Sequence, residues 1–248
     1  MDLDRAAELI AGSPRAVAFT GAGISQESGI QTYRGQGGLW NTVSPRTSSI
    51  DYFIADPRAY WTAAKDRGAT LLAARPNAAH LALVELERSA RLDAVITQNV
   101  DGLHELAGSA EVVELHGNGR TVVCLDCGSQ EPRSHVQARL DEELPPHCNV
   151  CGSIYMKPNA VFFGEVLPAR AVNRAFELAE SCDLMLVVGS TLVVYPAAEV
   201  PVAARRAGAK LVIVNLEPGP MDDLADVVIH ARAGEVLPEI VTRVRSAV

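Results

Sequence analysis

Three things are missing from this chain of 248 residues, and each removes a class of protein. Its first residues, Met1-Asp2-Leu3-Asp4-Arg5, lack the basic-then-apolar layout of a secretory signal. No apolar run reaches the roughly 20 residues that cross a bilayer. Positive charge is in deficit: 22 Lys and Arg against 30 Asp and Glu leave a net charge of −8. That balance disfavours direct nucleic-acid binding and adhesion to anionic membranes. A cytoplasmic protein with neither kind of partner is expected. Internal repeats and low-complexity tracts are also absent. The 48% hydrophobic content is ample for one large domain, or for a large lobe with a small one inserted.

A further absence lies inside the stretch that organises the chain. Ala16-Val17-Ala18-Phe19-Thr20 reads as a buried strand, and Gly21-Ala22-Gly23-Ile24 as the tight turn after it. Such a turn suits a pyrophosphate. Gly21 can take a positive φ, Gly23 offers no Cβ against an approaching ligand, and the turn's amides form an anion site. Yet the third glycine of the dinucleotide fingerprint is Gln26, and glycine returns only at Gly29. The acidic residue expected about twenty positions on is replaced by Gly37-Gly38-Leu39-Trp40-Asn41. The turn therefore points to a nucleotide but away from an ordinary hydride-transfer enzyme.

Cysteine is scarce and uneven. Cys124 and Cys127 form one Cys-x-x-Cys pair, and Cys148 and Cys151 form another. Without a secretion signal this spacing reads as a structural zinc site, closed by four thiolates, rather than as disulfides. His147 could compete as a ligand, but four cysteines already complete the shell. Cys182 reads as a small core residue.

Along the chain, residues 3–12 read as a helix. Residues 36–75 form a looser, mobile segment with helices over 50–54 and 58–72. A helix over 76–88 has Pro76 in its first turn. Strands follow over 92–97 and 112–115, each running into a polar cluster: Gln98-Asn99-Val100-Asp101, then His116-Gly117. The cysteine pairs bracket a polar insertion over 120–155. Helices over 170–180, 197–207 and 235–244 then alternate with strands over 184–188, 210–214 and 226–230. This alternation predicts an α/β fold: a doubly wound, parallel, Rossmann-like sheet (residues 1–40, 76–119 and 156–248) with a small helical insertion (41–75) and a small zinc-ribbon lobe (120–155). Ligands of such sheets bind beyond the strands' carboxyl ends.

With these motifs in order, the chain resembles the sirtuins, the NAD-dependent protein-lysine deacylases. The resemblance covers nearly its whole length as one catalytic domain. It rests on Gly21 through Ile30, Thr32-Tyr33-Arg34, Gln98-Asn99-Val100-Asp101, Leu115-His116-Gly117, the four cysteines, Val161-Phe162-Phe163-Gly164-Glu165, Gly189-Ser190-Thr191 and Asn215-Leu216-Glu217-Pro218. Tyr33 stands where the family usually has phenylalanine.

The resemblance implies NAD and zinc as cofactors and acylated-lysine proteins or peptides as partners. The acyl oxygen would attack the nicotinamide ribose and expel nicotinamide. His116, whose imidazole can accept a proton at neutral pH, would then help activate a ribose hydroxyl, so that the acyl group passes to ADP-ribose. Asn99, also counted as catalytic, and Asp101 would hold the nicotinamide carboxamide. Gln98 would contact the ribose and Arg34 the phosphates. Gly21, Ala22, Gly23, Ile24 and Tyr33 belong to the cofactor site, and Gly189, Ser190 and Thr191 would form a second turn there. Asn215, Leu216 and Glu217 would serve the second ribose, and Ala233 would lie near the adenine.

Val161, Phe162, Phe163, Gly164 and Glu165 would pair with the substrate as an added strand. Arg67 matches half of the Tyr-x-x-Arg pair of branches that remove acidic acyl groups. The tyrosine position holds Ala64, so a deacetylase is expected first and a desuccinylase or demalonylase second. Two readings from the residues alone stay open: a zinc-containing dehydrogenase, and a zinc-ribbon binding module without turnover.

Overall fold

The computed structural model describes residues 2–246. After helix α1 (Asp2–Ala11) comes strand β1 (Ala16–Thr20), buried at all five positions. Helices α2 (Ile50–Ala55), α3 (Pro57–Ala73) and α4 (Ala78–Arg88) lead to β2 (Ala94–Thr97), α5 (Leu103–Ala107) and β3 (Val112–Glu114). Next come β4 (Gly117–Cys124), β5 (Gln130–Pro132), α6 (Arg133–Arg139) and β6 (Met156–Ala160). The chain closes with α7 (Ala169–Ser181), β7 (Leu184–Val188), α8 (Glu199–Arg206), β8 (Lys210–Val214), β9 (Val227–Ile229) and α9 (Ala233–Ser246).

Six strands form one parallel sheet in the order β3-β2-β1-β7-β8-β9. Counted within that sheet, the order is the 3-2-1-4-5-6 of doubly wound nucleotide folds, with its switch point between β1 and β7. Continuous apolar runs such as Leu184–Val188 are what a strand covered on both faces requires. One face packs on α1, α4 and α9 through Ala6, Leu83, Val212 and Ile240. The other packs on α7 and α8 through Phe19, Ala175, Val187 and Ala204. Each fully buried Leu, Ile, Val or Phe adds about 1.5–3 kcal/mol to that packing.

The second lobe differs from the sequence reading in two ways. Strand β6 pairs antiparallel with β4 in a three-stranded sheet, β5-β4-β6. Residues 156–160 therefore belong with the cysteine lobe and not with the parallel sheet, and the antiparallel sheet already starts at Gly117. The helical insertion and the cysteine lobe also share one core, in which Phe53, Trp61, Val122, Met156 and Phe162 meet. The indole N–H of Trp61 on α3 donates to the Met156 carbonyl on β6 at 2.8 Å, which fastens the two insertions together.

Helix α4 starts later than expected. Pro76 precedes it, and Asn77 caps it by accepting from the N–H groups of Ala79 and His80. An asparagine cap competes well for that position, which moves the boundary two residues past the proline.

Candidate active site at the switch point

Strands β1 and β2 both end in threonines placed side by side, Thr20 opposite Thr97. Their hydroxyls are hydrogen-bonded at 2.8 Å. Beyond them, the turn after β1 meets the turn after β7. The N–H of Gly21 donates to the Val188 carbonyl at 3.0 Å, and that of Gly23 to the Gly189 carbonyl at 2.8 Å. This corrects the expected role of the glycines. Their amides are engaged by the neighbouring turn, and Gly21 has φ −131°, within the range open to any residue. Glycine is required by crowding: a Cβ on Gly21 would lie 2.8 Å from the Gly189 oxygen, and one on Gly23 would lie 2.7 Å from the Gly189 Cα. Gly189 itself has φ +63°. The residues 22–28 that follow form a 3-10 helix and not an α-helix.

The chain after β2 supplies the polar groups. The Asn99 side chain donates to the Gly21 carbonyl at 3.2 Å and to the Ser25 hydroxyl at 3.1 Å. Ser25 donates in turn to Asp101 Oδ2 at 2.7 Å, while Asp101 Oδ1 accepts the Leu103 N–H at 2.9 Å. All three side chains are buried. Gln98 bridges to the second turn, donating to the Ser190 hydroxyl at 2.7 Å. Thr191 follows in that turn.

His116 follows β3 and its Nδ1 lies 2.8 Å from the Gln98 carbonyl. A carbonyl can only accept, so Nδ1 carries the proton and Nε2 keeps its lone pair. Burial pushes the His116 pKa below its ordinary value, and the Gln98 carbonyl offsets part of that. The imidazole is therefore neutral at pH 7 and competent as a base through Nε2.

Behind this group, a contact invisible in the sequence joins His80 and His104, whose rings are 4.9 Å apart. His104 Nε2 lies 2.9 Å from the Thr20 hydroxyl. Burial pushes His80 down to about 4 and His104, further depressed by its neighbour, to about 3. Both are neutral supports of the pocket floor.

A crevice lined by Gly23, Gly189, Asn215, Leu216 and Ala233 continues away from His116 along the ends of β7 and β8. Asn215 is turned back onto its own loop, donating to the Glu217 carbonyl at 2.7 Å. The Glu217 carboxylate accepts the Gln36 N–H at 3.2 Å, so it ties down the segment after β1. That segment carries Tyr33, Arg34 and Trp40. The Arg34 guanidinium stands 4.3 Å over the Trp40 ring, and Trp40 also touches Tyr33 and Phe163.

The stretch from Val161 to Glu165 divides. The Val161 N–H donates to the His116 carbonyl at 2.7 Å, and Phe163 is exposed. Phe162 instead packs on Phe53 and Tyr60. Glu165 accepts from the Phe162 N–H at 2.7 Å and from the buried Lys157 ammonium at 2.9 Å. Gly164 has φ +92°. Arg67 on α3 lies outside the inner group and donates to the Ala63 carbonyl one turn back at 2.7 Å.

In the second lobe, the four thiols of Cys124, Cys127, Cys148 and Cys151 lie within 4.8 Å of one another. The pairs Cys124–Cys151 and Cys127–Cys148 are 3.6 and 3.7 Å apart, far beyond a disulfide bond. A tetrahedron with metal–sulfur bonds of about 2.3 Å needs sulfurs about 3.8 Å apart, so this donor set fits zinc. The two turns are alike. Gly128 and Gly152 donate to the carbonyls of Cys124 and Cys148, and the N–H groups of Cys124 and Cys148 reach Ser129 and Ser153. His147 is engaged elsewhere, 2.6 Å from Glu143.

Comparison with known proteins fits this geometry. A model of the Sir2 family matches residues 21–196. The chain is 49% identical over 242 residues to an NAD-dependent protein deacetylase of Caldivirga maquilingensis, covering 97% of this chain and 93% of that one. It is also 49% identical over 245 residues to NAD-dependent protein deacylase 2 of Archaeoglobus fulgidus, covering 98% and 96%. A solved Sir2 enzyme holding a deacetylated p53 peptide and 3'-O-acetyl ADP ribose superposes with a TM-score of 0.94 at 40% identity, covering 98% of each chain. Sir2Af2 bound to a myristoylated histone peptide superposes with a TM-score of 0.85 at 43% identity, covering 99% and 97%. With the family model spanning more than half of its length and relatives 49% identical over nearly all of it, the chain belongs to the Sir2 family.

Proposed function

We propose that this protein removes acyl groups from lysine side chains of proteins at the expense of NAD, with acetyl-lysine as its preferred substrate. The observation that carries the reading is His116: neutral, its tautomer fixed by Gln98, its Nε2 free to take a proton beside a pocket built by Asn99 and Asp101. NAD supplies the electrophilic ribose carbon and the hydroxyl that receives the acyl group. This chain's residues orient and exclude water. With both Asn99 N–H groups held by Gly21 and Ser25, the Asn99 oxygen and the Asp101 carboxylate would accept from the N–H groups of a carboxamide. Gln98 and Ser190 would serve the ribose, and His116 Nε2 would take a proton from the acceptor hydroxyl. Asn215, Leu216 and Ala233 suit the adenosine half.

Incubation with NAD and an acetyl-lysine peptide should yield nicotinamide, free lysine peptide and O-acetyl-ADP-ribose in equal amounts by mass spectrometry. NADH as product would replace this reading with a dehydrogenase. NAD binding with no turnover of any acyl peptide would replace it with a binding module.

The four cysteines are assigned to one structural zinc, since four thiolates leave no position for chemistry. Cys124→Ser should release the metal and lower melting temperature and turnover together. The acetyl preference rests on Ala64 standing at the tyrosine position and on the bond of Arg67 to its own helix. A higher kcat/KM on succinyl-lysine than on acetyl-lysine, lost in Arg67→Met, would reverse that order.

A further inference from the structure

Arg120 lies on β4, outside every motif that carried the family resemblance, yet its side chain joins three parts of the molecule. Its Nε donates to the backbone carbonyl of Asp101 at 2.5 Å, and its Nη2 donates to the carbonyl of Leu71 on α3 at 3.0 Å. Its own N–H is held by Asn118 Oδ1 at 2.8 Å, and Asn118 donates to Glu114 at 2.6 Å. The stem of the side chain rests on Gly102, where a Cβ would come 2.9 Å from Arg120 Cδ.

Arg120 is the last of three rungs. His116 Nδ1 bonds the Gln98 carbonyl, the Gly119 N–H bonds the Val100 carbonyl at 2.7 Å, and Arg120 bonds the Asp101 carbonyl. The backbone of residues 98–101 is thus strapped along its carbonyl side, which fixes the direction in which Asn99 and Asp101 face Ser25 and Gly21. Only the Asp101 rung is made by a side chain from outside the pocket. A charged donor holding a carbonyl is worth more than a neutral one. Its loss would release the Asp101 carbonyl beside Gly102, which has φ +64°, leaving Asp101 held by its side chain alone.

We propose that Arg120 is a positioning residue: it sets the Asp101 end of the nicotinamide pocket and ties it to helix α3 of the second lobe. The proposal rests on the NAD-dependent reading above. Arg120 touches no reacting atom. It acts through Asp101, so its effect falls on seating the nicotinamide half of NAD and not on peptide binding.

The test uses the full chain with its zinc, and Arg120→Met, Arg120→Lys and Gly102→Ala variants. Titration calorimetry with NAD alone gives affinity without turnover, and steady-state assays with an acetyl-lysine peptide give the two KM values. For Arg120→Met, Kd and KM for NAD should rise about tenfold, while KM for peptide stays within about twofold. Arg120→Lys should recover part of the loss, because one ammonium can reach one carbonyl but not both. Gly102→Ala should reproduce the defect by displacing the arginine stem.

The assignment is overturned if Arg120→Met binds NAD within about twofold of wild type. It is equally overturned if both KM values rise together with a lower melting temperature, which is the behaviour of a plain brace between lobes. Wild-type protein that binds no NAD would sink the functional reading itself, a result visible before any variant is compared.

Discussion

The two ends of the cleft are built on opposite principles. At the inner end, Ser25, Asn99 and Asp101 are buried and locked by hydrogen bonds of 2.7 to 3.2 Å to one another and to the backbone. At the outer end, Tyr33 and Phe163 remain 41% and 44% exposed, and each sets its ring against Trp40. Dipoles fixed before a ligand arrives need no reorganisation when charge develops. Stacked rings worth about 0.5–1.5 kcal/mol a pair can part and re-form. The inner end is suited to chemistry on a small invariant group, and the outer end to a partner whose shape varies.

The contrast predicts where substitutions should hurt. The largest effect belongs to His116→Ala, which removes the base and its bond to the Gln98 carbonyl while leaving the bonds among Ser25, Asn99 and Asp101. Acyl transfer should fall by about 10²–10⁴, with NAD affinity within about threefold by calorimetry. Near-wild-type turnover in this variant would remove the inner end's claim to the chemistry. Asp101→Asn comes next. It keeps the shape but loses the charge and one acceptor toward Ser25 or Leu103, and KM for NAD should rise about tenfold. Trp40→Ala should do less. It frees Tyr33, Phe163 and Arg34 from one another, and either KM should change by about threefold or less. If Trp40→Ala matched Asp101→Asn in its effect on NAD, the division between a rigid and an adaptable end would be wrong.

The same contrast governs what could be read from the sequence. Strands β1, β7 and β8 were legible to the residue because both faces are covered and the apolar runs are unbroken. The cysteine cluster was legible because its four thiols come in two local Cys-x-x-Cys pairs. The residues of the inner end were legible as types, but not their bonds. Ser25 lies in the stretch after the glycine turn, and nothing local pairs it with Asp101, 76 positions away.

The supports were wholly hidden. His80 and His104 meet only when α4 and α5 pack, and Lys157 finds Glu165 only across a folded loop. Side-chain direction at the outer end was hidden as well. In the stretch expected to pair with a substrate strand, Glu165 and Phe162 turn their side chains inward, because one neutralises a buried lysine and the other fills an aromatic core.

The smallest prediction concerns a carboxyl group behind the inner end. Glu114 ends β3, accepts from Asn118 at 2.6 Å and through it supports Arg120. Its pKa is pushed up to about 8, first by burial and then by the nearby Glu105 carboxylate, with the Asn118 bond acting the other way. A carboxyl group harder to ionise when folded than when unfolded costs stability wherever the unfolded chain is ionised. Its contribution is therefore most favourable below the ordinary value near 4.5 and is progressively lost as pH rises to about 8. The loss is smaller than the shift alone implies, because the side chain keeps partial contact with water.

Glutamine at this position keeps an acceptor for Asn118, offers Glu105 a permanent donor and carries no charge. Glu114→Gln should melt about 2–4 °C above wild type at pH 8 and level with it near pH 4, while KM for NAD stays unchanged. Melting curves by circular dichroism across that range would show it. Parallel curves for the two proteins would mean that Glu114 is ionised in the fold after all. The support behind Arg120 would then be an ordinary charged surface group, and the rigid inner end would stop at Asp101.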